Sequence, residues 1–243
     1  MFTAFLWGLG AAASLLLGAV LAGYVKIPRR LLGLIMAFGV GVLISAISFE
    51  LAEEAFAVVR EGWMVAGGLA AGALTFFFGN MLIDKMGGRK HRTLEGDAGS
   101  GTAILLGTVM DSIPESIVIG LALVQGGSIS LAMVVAVFLS NLPEAISATV
   151  GLLKSNWSKI KVLALWASVA VAAGAASLVG FAFFDSAPPA TLAFTLSFAA
   201  GGLLTMIADS MMPEAFRDSG RLVGLVTTCG FGLAFLLSMV GGS

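Results

Sequence analysis

The stretches DSIPES, from Asp111 to Ser116, and SNLPEA, from Ser140 to Ala145, each set a Pro-Glu pair among other polar residues in the middle of a long apolar run. Burying a carboxylate at bilayer depth is costly, so an acid in such a run faces the protein interior and marks a path for an ion or polar substrate. The runs themselves, near 101–124 and 128–153, are each long enough to cross a hydrocarbon layer of ~30 Å as a helix. Six more runs of the same kind lie near 2–24, 30–58, 62–83, 160–184, 189–213 and 219–240.

With 58% hydrophobic and 11% charged residues and a mean hydropathy of +1.03, the composition excludes a water-soluble globule. The expectation is an all-α integral membrane protein, a single transmembrane domain of eight spans over residues 1–243. One appreciable loop, near 84–100, is rich in Gly, Ser and charge and reads as solvated. Its single histidine, His91, is expected to be solvated there as well. Of the 13 Lys and Arg residues, 12 fall in alternate connections, at Lys26, Arg29 and Arg30, at Lys85 to Arg92, at Lys154 to Lys161, and at Arg217 and Arg221. Basic connections face the cytoplasm, which places both termini on the outer face of a cytoplasmic membrane. The first span has no basic n-region before it and is expected to be an uncleaved helix.

Sliding the chain by 160 residues sets GVLISAISFELAEEAF (Gly41 to Phe56) on GGLLTMIADSMMPEAF (Gly201 to Phe216), with 6 of 16 positions identical. Spans two and seven run in opposite senses, so the match reads as an inverted repeat, a pattern of secondary carriers with central sites. The two Pro-Glu motifs, on spans four and five, form a second antiparallel pair between the repeats. The expected architecture is 3+2+3.

Asp111 and Glu115 are one helical turn apart, with Ser112 close to the same stripe; on span five, Ser140 stacks with Glu144 and Asn141 lies three residues before it. Pro114 and Pro143 cannot donate backbone hydrogen bonds, which frees the carbonyls of Met110 and Leu139. Hydroxyl, amide, carboxylate and carbonyl oxygens are hard ligands, and neither span contains a Lys or Arg to neutralise the acids. A cation shared between the two spans would do so. Three carboxylates around a divalent ion leave one excess negative charge, so a proton is expected to accompany it. Glu50, Glu53 and Glu54 fall towards the outer end of span two, and Asp209 and Glu214 towards the inner end of span seven, as stations along a path.

These features together resemble the ZIP (Zrt/Irt-like) family of divalent metal transporters, particularly its prokaryotic branch, over nearly the whole chain. Family members carry His-Asn-x-Pro-Glu-Gly on helix four and a Gln- or Asn-containing x-Pro-Glu-Gly on helix five, which contribute to a one- or two-metal site. The resemblance implies metal-binding roles for Asp111 in the histidine place, Ser112 in the asparagine place, Glu115, Ser140, Asn141 and Glu144. Departures are Ser116 and Ala145 for glycine, Leu43 for a methionine, no acid on span six, and Ser210 for a span-seven glutamate. Losing imidazole and thioether leaves an oxygen-rich site, which tends towards harder ions such as Mn²⁺, Fe²⁺ or Mg²⁺ without excluding zinc.

The expected function is a secondary carrier that moves a divalent metal cation, inward as the resemblance implies, with the metal as substrate and no prosthetic group. Its partners are the cation and the lipid bilayer, with no nucleic acid; a homodimer is left open. A second reading is a ZIP-like sensor or scaffold without transport, suggested by the missing histidine and span-six acid. A third, an intramembrane aspartyl protease using Asp111 and Asp209, leaves both Pro-Glu pairs unexplained, and a non-enzyme is expected. Cys229, the sole cysteine, is expected to pack in the core.

Overall fold

The computed structural model describes residues 1–85, 112, 115–121, 123 and 131–241. Every described element is helical: α1 (Phe2–Tyr24), α2 (Arg29–Ala46), α3 (Glu53–Val59), α4 (Gly62–Lys85), α5 (Leu131–Lys154), α6 (Lys159–Phe184), α7 (Pro189–Met206), α8 (Met212–Ser219) and α9 (Leu222–Gly241). Span four is represented by Ser112, 115–121 and 123, all helical. Among the described residues, seven continuous helical runs are long and apolar enough to cross a bilayer, two of them 31 residues long, Arg29–Val59 and Pro189–Ser219. Large apolar side chains such as Leu74, Phe78, Val179, Leu225 and Leu236 stand more than half exposed on the outside. Lipid is the solvent that suits such a surface; in water it would be an aggregation patch.

The two long runs share an interruption. Ile47–Ala52 joins α2 to α3, and Ile207–Met211 joins α7 to α8, each as a π-type widening in which the backbone bonds step to i+5. The run from α7 therefore continues to Ser219, beyond the end expected near 213. Pro213 does not end it, because it sits in the first turn of α8, where a missing N–H costs least. Helix α2 occupies 29–46 and α7 occupies 189–206, and the widenings begin at 47 and 207, so the 160-residue offset seen in the sequence recurs in the element bounds.

Helices pair through glycines that let backbones touch, the means of association available where lipid competes equally for apolar surface. Helix α9 packs on α2, with Gly41 against the Thr227 carbonyl and Gly230 against the Phe38 carbonyl. Helix α4 packs on α7 in the same manner, with Gly201 against the Leu69 carbonyl and Gly72 against the Phe198 carbonyl. A β-carbon at any of these four positions would strike backbone.

Two apolar cores result, and α5 belongs to both. Its second half, at Ala145 and Leu152, joins α1 and α6 around Trp166, whose indole Nε1 donates to Thr149 Oγ1 at 2.8 Å. Its first half, at Met133, Ala136 and Val137, joins the larger core with α2, α7 and residues 118–121. Ser140 to Glu144 lie at the handover between them. Cys229 is exposed, contrary to the core packing expected: α9 turns Val223 and Gly230 inward, and the thiol falls on the other side.

Candidate functional site

Glu115 is 1% exposed, and its carboxylate receives two side chains from α5. Asn141 donates Nδ2–H to Oε2 at 3.1 Å, and the Ser140 hydroxyl lies 3.4 Å from Oε1 while also reaching the Val137 carbonyl at 3.0 Å. Ser140 and Asn141 are themselves buried. Adjacent positions on one helix can both reach the acid because the spans cross closely here. Pro143 lies inside α5 without ending it. The expected release of the Leu139 carbonyl has a neighbour: Gly39 of α2 lies against it, with 3.0 Å from that oxygen to a β-carbon built there.

One turn before Glu115, Ser112 is 2% exposed, and its Oγ has no hydrogen-bond partner among the described residues, although its carbonyl accepts from Ser116 at 2.7 Å. A buried hydroxyl left unmatched is costly and calls for a ligand. Glu144 is half-buried one turn beyond Ser140 and Asn141. Asp111, the remaining acid of the expected set, lies outside the described residues. Among the described residues no three His, Cys, Asp or Glu side chains converge closely enough to hold an ion. The described centre is thus one deeply buried carboxylate met by an amide and a hydroxyl, with a second, unmatched hydroxyl one turn away.

The path residues divide. Glu50 lies in the first π-type widening and accepts from the Ser238 hydroxyl of α9 at 3.0 Å, half-buried; Glu54 is half-buried and Glu53 exposed. In the second widening, Asp209 is exposed and Ser210 half-buried. Glu214 on α8 faces α5: Ser147 donates to its Oε1 at 3.5 Å, and Arg217 pairs with it at 3.3 Å while also pairing with Asp218 at 3.0 Å. Ser140, Glu144 and Ser147 fall at i, i+4 and i+7 on one stripe of α5, so a polar line runs from Glu115 to Glu214. The sequence reading missed Ser147 and Ser238. The signal for Ser147 was its place on that stripe; a lone serine near the end of α9 gave none.

In an alignment 225 residues long that covers 89% of its length, the chain is 25% identical to an Arabidopsis thaliana protein named "Putative zinc transporter", and it spans about a third (35%) of that protein. No protein-family model matches the chain.

Proposed function

We propose that this chain is a ZIP-type carrier that moves a divalent metal cation across a membrane through the polar crossing of span four and α5. The observation that carries this is the Glu115 carboxylate, buried to 1% between two apolar spans and met from α5 by Ser140 and Asn141. A carboxylate in such surroundings needs hydrogen-bond donors, a proton or a cation. The two α5 donors keep it tolerable without an ion, and the unmatched Ser112 hydroxyl offers an oxygen to one. Similarity to a protein named as a zinc transporter supports metal as the cargo.

In this reading the ion approaches past Glu50 and Glu54, loses water to Asp111, Ser112, Glu115, Ser140, Asn141 and Glu144, and leaves past Ser147 and Glu214. Asn141 turns its amide so that Oδ1 replaces Nδ2 towards the centre when the cation arrives. The 3+2+3 plan with an inverted repeat, both termini outside and inward movement belong to the same proposal. It is supported by the recurrent 160-residue offset and by the basic connections on one side. Alternating access then requires the α1/α5/α6 core to shift against the larger one, with the hinge at the handover on α5. Hard oxygen ligands favour Mn²⁺ or Fe²⁺ alongside Zn²⁺.

A proteoliposome flux panel across Zn²⁺, Mn²⁺, Fe²⁺, Cd²⁺ and Mg²⁺ tests the function. Saturable uptake of at least one transition ion is expected. No flux of any ion, with metal still bound, would favour the sensor or scaffold reading.

A further inference from the structure

We infer that the cavity where α1, α2 and α5 end is a seat for the headgroup of an anionic phospholipid. Three spans terminate around it, at Tyr24, Arg29 and Lys154, which sets it at the depth where lipid headgroups begin. Its volume is about 150 Å³. Arg29 and Lys154, from two different helices, line it together with the apolar walls Ala22, Val25 and Val150 and with Ser147, whose hydroxyl is turned to Glu214. Arg29 opens α2, whose first turn carries no acid and whose Pro28 cap makes no side-chain bond, so the positive end of the helix adds to the same field.

Two cations over apolar walls match a phosphodiester with its glycerol and first acyl carbons. A soluble phosphate shares the charge but leaves the walls unused. Lys26 and Arg30 stand at the same end of the molecule without lining the cavity, and they report diffuse attraction to anionic membranes. The seat lies between α5 and α2, which also meet at Gly39 and Leu139 beside the polar crossing, so its occupant would touch both cores.

The test is native mass spectrometry of the full-length protein in mixed micelles, titrated with phosphatidylglycerol against phosphatidylcholine. The reading does not depend on transport or on which face is cytoplasmic. Preferential retention of phosphatidylglycerol is expected, about thirtyfold weaker in R29Q/K154Q and unchanged in K26Q/R30Q. Ala22→Phe, which fills the wall and keeps both charges, should also abolish the preference, and glycerol phosphate should not compete. Equal loss in K26Q/R30Q, retention in Ala22→Phe, or competition by glycerol phosphate would each overturn the seat. Should R29Q/K154Q fail to fold, the Ala22→Phe and competition arms still decide it.

Discussion

Asn141 hands its amide N–H to the Glu115 carboxylate across 3.1 Å, from one apolar span to another, with both side chains buried. The bond makes the acid tolerable while no cation is present, and it holds the two spans together where their polar residues meet. Replacing Asn141 by Ala leaves the carboxylate short of a donor, a loss of about 1.5–3 kcal/mol for a bond to a charged group. Asn141→Asp sets a second acid beside the first. Thermal unfolding in detergent should show N141D less stable than the parent in chelator and recovered by added divalent ion, while N141A is destabilised in both.

Ser112 and Ser177 both bury a hydroxyl with no partner among the described residues, but only Ser112 lies a turn from Glu115. Substituting Ala at either should stabilise the protein or leave it unchanged, by up to about 1 kcal/mol, since an unmatched polar group is removed. Metal uptake should fall severalfold in S112A and hold in S177A. Equal uptake in the two variants would remove Ser112 from the site.

The glycine contacts at Gly41 and Gly201 are equivalent under the 160-residue offset, each facing a neighbouring backbone carbonyl. Gly→Ala at either should cost about 1–3 kcal/mol through overpacking, by similar amounts. Gly10 has nothing within 4 Å of an added β-carbon, and G10A should be neutral or up to about 1 kcal/mol stabilising from helix propensity. Unequal effects at 41 and 201, compared by melting in one detergent, would speak against the repeat.

Glu214 sits where Ser147 and Arg217 meet it, beyond the central acids. E214Q should lower the maximal rate of uptake severalfold while metal binding, measured by calorimetry, stays at parental affinity. A weakened affinity would move Glu214 from the path into the binding site.

Seven of the eight expected spans were legible because ~20-residue apolar runs have few alternatives, and the Pro-Glu motifs stood out because an acid in such a run demands a reason. Ser140 and Asn141 were legible from helical spacing to Glu144, and the structure sets both on Glu115. What the sequence concealed depended on neighbours. The π-type widenings leave no local pattern, the end of span seven near 213 was drawn where apolarity fades although the helix continues to Ser219, and Ser147 gains meaning only from Glu214 on α8. Cys229 was read from the habits of its residue type, whereas the face α9 offers to α2 decides its exposure.

The most direct test is radiolabelled metal uptake into proteoliposomes by the parent and by Glu115→Gln, matched for protein incorporated and melting temperature. Gln keeps the size of the side chain and removes the charge that draws the ion into the crossing of span four and α5. Saturable uptake in the parent with none above empty vesicles in E115Q is predicted; parental uptake by E115Q would contradict transport through this crossing.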